Sequence, residues 1–397
     1  MKGTTVASVG HDECTGCMMC GDICPKRAIQ FKDFSYGFWY PQVDEPKCNG
    51  CGLCFEKCPQ TNERNVTSEK VVACYGAKTK NEEVRKNSTS GGFFSELASE
   101  WIGSGGICCG AEYDDKNDVV HVIEKDVAGI GRLRQSKYVQ SHAQGIYQEV
   151  KKELQVGSKV LFCGTPCQVE ALYSMLDGLD DNLLTLDFVC CGICSPSVYR
   201  KYLDMLEKQY HSKVKKVCFK SKKKGWRSIG VSILFENGKE YFRVGNRDLY
   251  MVAFVKDGLS MRASCHQCKY RKLPHSSDIT IADFWGLENI NPSFDDDKGT
   301  SAIIINSKKG KQWFDRVSDD MEFFKTSKED ISEGNFTVYT NKEPNDQRNA
   351  FLKDIEKNSL DKLMRKYSSY SGMERLKVDL NYFKSEIKKK LKLIGGN

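Results

Sequence analysis

Eight of the nineteen cysteines fall into two copies of one spacing pattern. In each copy two residues separate the first three cysteines, three residues separate the third from the fourth, and a proline follows. The copies are Cys14-x2-Cys17-x2-Cys20-x3-Cys24-Pro25 and Cys48-x2-Cys51-x2-Cys54-x3-Cys58-Pro59. Three thiolates on one tight loop can bind three corners of a [4Fe–4S] cube, and this spacing is typical of such sites. The sequence therefore predicts two iron–sulfur clusters and electron transfer.

The fourth cysteine of each copy lies too far along the chain to close its own cube comfortably, and in two-cluster ferredoxins it ligates the other cluster. This rule gives one cluster the ligands Cys14, Cys17, Cys20 and Cys58, and the second cluster the ligands Cys24, Cys48, Cys51 and Cys54. The alternatives are a zinc site or a disulfide framework. Zinc takes four ligands per site in two pairs, and disulfides do not require this spacing.

Composition limits the classes of protein to be considered. The net charge of +7 is modest for 397 residues and does not favour a nucleic-acid partner, and a hydrophobic content of 40% suffices for a core. Residues 1–10 lack the apolar core of a signal peptide, and no stretch approaches the roughly 18 apolar residues of a membrane span. Because cluster thiolates need a reducing compartment, we expect a cytoplasmic protein without a transmembrane segment.

The remaining cysteines fall in turns between predicted elements. A strand at Lys159–Phe162 leads into the turn Cys163–Cys167 and a helix to Leu176, and the strand Leu183–Val189 repeats this plan. Cys190, Cys191 and Cys194 follow that second strand, and Ser195 and Pro196 then open a helix as its cap and first-turn proline. Successive strand–turn–helix units predict a parallel sheet, and ligands of such sheets gather at the carboxyl ends of the strands. Both cysteine-bearing turns would lie there.

The predicted fold class is an α+β ferredoxin-like dicluster domain fused to an α/β domain with a mixed, partly parallel sheet. Residues 229–235 and 239–244 predict a hairpin, and residues 93–102 a helix with the hydroxyl residues before it as its cap. The predicted boundaries are residues 1–62 for the dicluster domain, 71–155 and 156–320 for two parts of the α/β domain, and 321–397 for a surface extension. In that extension a basic amphipathic helix is predicted, either docked on the body or contacting a partner or a membrane surface. Its apolar positions are Leu376, Leu380, Phe383, Ile387, Leu391 and Ile394.

Seven motifs occur in an order that resembles the coenzyme F420 hydrogenase/dehydrogenase beta-subunit family, from Val71 to about Gly310. They are Ser90-Gly91-Gly92-Phe93, Ser136-Lys137-Tyr138-Val139-Gln140-Ser141, Gly164-Thr165-Pro166-Cys167-Gln168, Asp187-Phe188-Val189-Cys190, Gly225-Trp226, Cys265-x2-Cys268 and the run from Asp278 to Gly286. The resemblance implies a flavoprotein that binds FAD beside an iron–sulfur cluster. It exchanges hydride with reduced deazaflavin or, in divergent members, with another small substrate. The sequence looks closest to a bacterial branch found in surface-polysaccharide gene neighbourhoods.

The resemblance also implies a third [4Fe–4S] cluster next to the flavin. Its ligands would be Cys167, Cys190, Cys265 and Cys268. The chain departs from the family pattern at Cys191 and Cys194, where members more often carry His and Pro, so the choice among Cys190, Cys191 and Cys194 stays open. A structural zinc half-site at the Cys265-x2-Cys268 pair is the alternative. The other cysteines, Cys74, Cys108, Cys109, Cys163 and Cys218, are expected to be small buried apolar residues.

Flavin contacts are expected from three segments. Backbone groups at the start of a helix favour anions, so Ser88, Thr89, Ser90, Gly91 and Gly92 are candidates for binding the pyrophosphate. Ser136 and Lys137 come next, with Lys137 able to neutralise phosphate or the reduced ring, and Thr165 could hydrogen-bond the flavin. No catalytic acid or base is assigned, because hydride transfer is the flavin's own chemistry.

The predicted function is that of an iron–sulfur flavoprotein oxidoreductase. FAD would exchange hydride with reduced coenzyme F420 or a related small organic substrate, and single electrons would pass through the clusters to or from a ferredoxin-type redox partner. One alternative is a ferredoxin-dependent reductase of a polysaccharide-pathway or other small organic substrate. The other is a non-catalytic electron-carrier subunit, which would need only the first 60 residues and is therefore the weaker interpretation.

Overall fold

A computed structural model describes residues 4–62 except Asp33 and Tyr36, residues 71–369, and isolated positions between 372 and 387. The described part of residues 4–62 forms a 3-10 helix (Val6–Ser8), two short α-helices and two antiparallel two-stranded ribbons, β1 with β4 and β2 with β3. The elements are α1 (Met19–Ile23), β1 (Ile29–Gln30), β2 (Phe34–Ser35), β3 (Phe38–Trp39), β4 (Gln42–Val43) and α2 (Leu53–Glu56). Each α-helix lies within one of the two cysteine repeats.

An eight-stranded sheet forms the centre of the remaining chain, with the strand order β15-β5-β14-β13-β9-β8-β6-β7. Its strands are β5 (Ala73–Thr79), β6 (Ile107–Tyr113), β7 (Val119–Glu124), β8 (Val160–Cys163), β9 (Leu183–Phe188), β13 (Ile279–Asp283), β14 (Ser301–Ile305) and β15 (Met321–Thr326). The neighbours β13, β9, β8 and β6 are parallel, and the outer pairs are antiparallel. Parallel strands covered on both faces are apolar throughout, as Val160, Leu161 and Phe162 are. The predicted mixed, partly parallel sheet is confirmed.

Helices cover both faces of this sheet. They are α3 (Glu82–Asn87), α4 (Phe93–Gly103), α5 (Ile130–Leu133), α6 (Ile146–Gln155), α7 (Pro166–Leu176), α8 (Pro196–Tyr210), α10 (Leu287–Ile290), α11 (Lys308–Val317) and α12 (Lys328–Gly334). Ser195 caps α8 as predicted, since its hydroxyl accepts from the Val198 N–H at 3.3 Å. The predicted hydroxyl cap of α4 is wrong: Gly92, at φ +93°, is the capping residue and no side chain caps that helix. The Ser90 hydroxyl instead donates to the Thr300 carbonyl at 2.5 Å.

A smaller antiparallel sheet packs on α8 and forms a second part of the core. It consists of β10 (Val214–Ser221), β11 (Gly230–Phe235) and β12 (Glu240–Val244), followed by α9 (Leu249–Met251). Gly238 supplies the positive φ of +79° at the β11–β12 turn, so the predicted hairpin is confirmed. Residues Ala263–Gln267, which include Cys265, form a 3-10 helix before β13.

Residues 321–369 differ from the predicted surface extension. Strand β15 pairs with β5 in the large sheet, and α13 (Arg348–Asp354) and α14 (Leu360–Tyr367) bury Phe351 and Leu363 in the core. The polar composition of this stretch hid these contacts, because only one side of each element is apolar. The predicted terminal helix lies largely outside the described residues. Within the described part of the chain, no helix is long and apolar enough to cross a membrane.

Candidate functional site

The cysteines predicted to bind the first cluster lie close enough to affect one another's ionisation. Burial raises the pKa of the Cys17 thiol to about 12, and neighbouring Cys58 and Cys14 add to the rise. Burial likewise raises the pKa of Cys20 well above its ordinary value, with further contributions from Cys17, Cys14 and Cys58. The fourth cysteine of the second repeat therefore joins the first three of the first repeat. This exchange is the one expected for two-cluster ferredoxins.

The second predicted set is nearer the surface. Burial raises the pKa of Cys54, and Cys24 and Cys51 add to the rise. Backbone N–H groups donate to two of its sulfurs, from Val6 to Cys54 Sγ at 3.4 Å and from Ala28 to Cys24 Sγ at 3.3 Å. Cys51 is exposed to solvent. This set therefore forms the outer end of the cysteine-rich region.

The cysteines predicted to bind a third cluster line a single cavity. All four of Cys167, Cys190, Cys265 and Cys268 border it, together with Thr15 of the first cysteine loop. Burial raises the pKa of Cys167, and Cys268, Cys17 and Cys265 raise it further. Four thiols from three separate segments thus converge between the dicluster domain and the sheet.

Local structure aims two of these thiols at the cavity. Thr165 and Gln168 form a capping box that begins α7, and Cys167 Sγ lies 3.1 Å from the Thr165 hydroxyl. Cys190 follows β9, and the Gly192 N–H donates to Cys190 Sγ at 3.4 Å. Gly192 has a φ of +125°, which favours glycine. Both thiols therefore have hydrogen-bond donors of the kind that stabilise thiolates.

Cys191 and Cys194, whose role as ligands the sequence left open, lie outside the lining of the cavity. Burial raises the pKa of Cys191, while the nearby cations Lys220 and Arg271 lower it. Cys194 is completely buried, and its thiol lies 3.1 Å from the Ser260 hydroxyl. Neither Cys191 nor Cys194 borders the cavity. The geometry therefore favours Cys190 as the ligand from this segment.

The dicluster domain is fixed to the body at the first cysteine loop. The Asp22 carboxylate accepts hydrogen bonds from the Gly145 N–H at 2.6 Å and the Tyr147 N–H at 3.0 Å, at the start of α6. The Tyr147 hydroxyl donates to the Cys17 carbonyl at 2.9 Å. Since Cys17 also raises the pKa of Cys167, the first set of cysteines adjoins the cavity directly.

Two cavity residues have no counterpart in the sequence predictions. Arg271 and His275 border the cavity, and His275 Nδ1 lies 2.9 Å from the buried carboxylate of Asp187. The Arg271 guanidinium donates to the Cys191 carbonyl at 2.9 Å. The only available signal for His275 is its place seven residues after Cys268, which no spacing rule identifies.

Comparisons with known proteins agree with this division of the chain. Residues 13–62 match the model of the 4Fe-4S dicluster domain. Residues 157–331 match the model of the C terminus of the coenzyme F420 hydrogenase/dehydrogenase beta subunit. This part of the chain is similar to that family. The resemblance predicted from the sequence motifs is confirmed, and the chain combines iron–sulfur binding with an oxidoreductase domain.

Among solved structures, the chain is similar to one from the F420-reducing [NiFe] hydrogenase complex of Methanosarcina barkeri. The identity is 19%, the match covers 76% of this chain and 94% of the other, and the TM-score is 0.46. A likeness at this level carries no conclusion about function. No curated protein sequence matches the chain.

The residues predicted to contact a flavin lie in two places. Thr165 borders the cysteine cavity, whereas Thr89 and Ser136 meet beside α4, where the Ser136 N–H donates to the Thr89 hydroxyl at 2.9 Å. Some candidate groups already have partners: Ser88 Oγ donates to the Val84 carbonyl, Ser90 Oγ to the Thr300 carbonyl, and the Gly91 N–H to Ser301 Oγ. The hydroxyls of Thr89 and Ser136 contact each other instead, 3.3 Å apart.

Two ammonium groups belong to residues beside this second place, and both donate to backbone carbonyls. Lys137 Nζ donates to the carbonyls that end α5, the closest being that of Arg134 at 2.7 Å. Lys222 Nζ donates to the carbonyls of Arg85 at 2.5 Å and Ser90 at 2.9 Å. Burial lowers the pKa of each lysine to about 8, because a buried ammonium is poorly solvated. An anion bound nearby would offset this cost.

Proposed function

We propose that this chain is an iron–sulfur flavoprotein oxidoreductase with three [4Fe–4S] clusters and one FAD. The observation that supports it most is the convergence of Cys167, Cys190, Cys265 and Cys268 on one cavity beside Cys17. An electron carrier would have no use for thiols buried behind its dicluster domain. A reaction centre inside the α/β domain, in contrast, would need such thiols to connect it to the dicluster domain.

The cavity suits a cube better than a single zinc ion. A Zn–S bond of about 2.3 Å brings tetrahedral ligand sulfurs within about 4 Å of one another. Among the described residues, no three Cys, His, Asp or Glu side chains come close enough together to hold one metal ion. A [4Fe–4S] cube places its own iron and sulfide between the four thiolates and therefore needs a wider ring. The donor set, four thiols with N–H and O–H partners, is appropriate to it.

The order of the sites along the molecule follows from their contacts. Cys167 of the cavity is influenced by Cys17 of the first set, Cys20 of the first set is influenced by Cys54 of the second, and Cys51 of the second set reaches the surface. Single electrons would therefore pass between the cavity and Cys51 by way of the first set. We propose that a redox protein, either ferredoxin-like or a partner subunit of a larger complex, docks where Cys51 is exposed.

The flavin would connect this path to a small organic substrate. When bound, FAD supplies the conversion of a two-electron hydride transfer into single-electron transfers. Lys137 and Lys222 would neutralise its pyrophosphate beside Thr89 and Ser136, and Thr165 would contact it at the edge of the cysteine cavity. The segment around β10 also provides the Lys220 ammonium, which forms a buried ion pair with Asp283 next to Trp285.

An anaerobic preparation tests the cofactor content. Three cubes require about twelve iron atoms and twelve sulfides per chain, and the flavin released by denaturation should be FAD. Cys167→Ala should lower the iron content by about four atoms, whereas Cys74→Ala, which replaces a buried thiol outside the cavity, should leave it unchanged. About eight irons in the unaltered protein, or no loss in the Cys167 variant, would contradict the third cluster.

The family match favours coenzyme F420 as the hydride carrier. The expected result is that the loaded protein oxidises reduced deazaflavin when an electron acceptor is present, and that this absorbance change stops when the acceptor is withheld. If reduced ferredoxin reduces the flavin and deazaflavin does not react, the chain is instead a ferredoxin-dependent reductase of another small substrate. A protein that contains clusters but no flavin would be an electron carrier.

A further inference from the structure

Arg262 is completely buried between the dicluster domain and the body, with 0% of its surface exposed. Its guanidinium donates to the Cys14 carbonyl at 2.7 Å and to Cys14 Sγ at 3.5 Å. It also donates to the Trp39 carbonyl at 3.2 Å and to Gln140 Oε1 at 3.3 Å. One charged side chain thus contacts both the backbone and the sulfur of a predicted cluster ligand.

The aromatic side chains around Arg262 keep water away from its charge. The centre of the guanidinium lies 4.0 Å from the centre of the Tyr40 ring and 5.3 Å from that of Phe38. Within the described part of the chain, no carboxylate forms an ion pair with Arg262. A buried charge is costly unless an opposite charge lies near it. The cluster ligated by Cys14 would supply the negative charge that offsets the buried guanidinium.

The cysteine loop is shaped to admit the guanidinium. Gly16 has a φ of +73°, and a Cβ at this position would lie 2.7 Å from Arg262 Cζ. Gln140 holds the other side of the loop, because its amide donates to the Gly16 carbonyl at 3.2 Å. The missing side chain at Gly16 and the hydrogen bond from Gln140 therefore both allow Arg262 to contact the loop.

We propose that Arg262 raises the reduction potential of the cluster ligated by Cys14, Cys17, Cys20 and Cys58. This inference rests on the cluster assignment of the proposed function. A reduced cluster carries one more negative charge than an oxidised one, and hydrogen bonds to its sulfurs together with nearby positive charge favour the reduced state. In a site shielded from water this electrostatic effect is larger than at the surface.

The position of Arg262 determines which cluster its charge favours for the electron. The hydrogen bonds that the Arg262 guanidinium donates go to Cys14, Trp39 and Gln140, and not to a cysteine of the cavity. Arg262 therefore favours an electron on the first cluster over one in the cavity. The step would be the exchange of one electron between the first and the third cluster, in which no proton is transferred and no bond is formed or broken. Arg262 is a positioning residue and not a catalytic one.

A redox titration of the full-length, cluster-loaded protein, followed by electron paramagnetic resonance, tests the proposal. Arg262→Gln removes the charge and should lower one midpoint potential by at least the 59 mV that corresponds to a tenfold change in a one-electron equilibrium. Arg262→Lys keeps the charge and should lower it less. Arg85→Gln is the matched control, since Arg85 is also buried but pairs with Asp296. Cys14→Ser identifies the affected cluster by its altered signal.

A second variant serves if Arg262→Gln fails to assemble its clusters. Gln140→Glu places a carboxylate beside the guanidinium and neutralises it in place, so the same potential should fall while Arg262 remains. Equal potentials in the unaltered protein and in these variants, with full iron content, would overturn the role of Arg262 alone. Absence of the cluster signals from the unaltered protein would instead overturn the proposed function.

Discussion

His275 Nδ1 lies 2.9 Å from Oδ2 and 3.0 Å from Oδ1 of Asp187, and both side chains are buried next to the cysteine cavity. The Thr280 hydroxyl donates to the same carboxylate at 2.6 Å. Asp187 belongs to β9 and stands three residues before Cys190. These hydrogen bonds therefore fix the end of the strand from which the Cys190 thiol reaches the cavity.

His275→Leu should destabilise the protein because it removes a donor from a buried carboxylate. Thr280 still donates to Oδ1 of Asp187, but Oδ2 loses its donor, and a buried polar atom left without a partner costs about 1–3 kcal/mol. We expect a corresponding decrease in the free energy of unfolding, measured anaerobically on the cluster-free protein by circular dichroism.

Asp187→Leu and the double variant Asp187→Leu/His275→Leu complete a double-mutant cycle, which measures the interaction energy of this pair. Because removal of both partners leaves no unpaired charge, the double variant should be more stable than the sum of the two single effects predicts, by about 0.5–3 kcal/mol. Simple additivity would mean that the pair does not interact.

The choice among neighbouring cysteines gives a second prediction. Cys190→Ala should lose the third cluster, about four irons, whereas Cys191→Ser and Cys194→Ala should retain it. The reason is geometric, since only Cys190 of the three borders the cavity. Iron and sulfide analysis of the three purified variants distinguishes them. Loss of iron from the Cys191 variant alone would show that Cys191, and not Cys190, is the ligand.

These cysteines show how much of the site can be predicted from the sequence. Spacing predicts both dicluster ligand sets, and the family resemblance predicts as ligands the four thiols that border the cavity. Adjacent residues in extended chain point in opposite directions, so Cys190 and Cys191 could not be distinguished until the backbone at Gly192 was known. The partly parallel sheet was predictable because its buried strands carry continuous apolar runs.

Contacts that depend on packing between distant segments could not be predicted. Arg262 and His275 are single polar residues without periodicity, and their partners Cys14 and Asp187 lie 248 and 88 residues away. Strand β15 was missed for a related reason, since it is an edge strand with one largely solvated face and a polar composition. The contact of Lys222 with the Ser90 carbonyl likewise emerges only from the fold.

Gly16→Ala should disrupt the first cluster loop. The added Cβ would meet Gln140 Nε2 and lie 2.7 Å from Arg262 Cζ, so the loop or the guanidinium must move. Gly105→Ala is the matched control, because Gly105 also has a positive φ, +84°, yet no atom lies within 4 Å of an added Cβ. The backbone strain is thus comparable and the steric contact differs. We expect reduced iron content in the Gly16 variant only, and equal losses in both would assign the effect to backbone conformation.

The binding of FAD should weaken as the pH rises through 8. Burial lowers the pKa of Lys137 and Lys222 to about 8, and a bound pyrophosphate would raise both, so binding takes up protons above that pH. In the flavin-free protein the same lowered pKa makes the free energy of unfolding depend on pH. Between about pH 8 and the ordinary lysine pKa the unfolded chain binds more protons than the folded chain, so stability rises with pH there.

Titration of FAD into flavin-free, cluster-loaded protein at pH 7 and pH 9, followed by flavin fluorescence, measures this dependence. Lys222→Met should weaken binding at pH 7 by about tenfold, or about 1.4 kcal/mol, and should reduce the difference between the two pH values. Lys223→Met is the control, because this neighbouring lysine is exposed and pairs with Glu240. If the Lys222 variant keeps the full pH dependence of the unaltered protein, its ammonium does not bind the anion, and the pyrophosphate must lie elsewhere along the sheet.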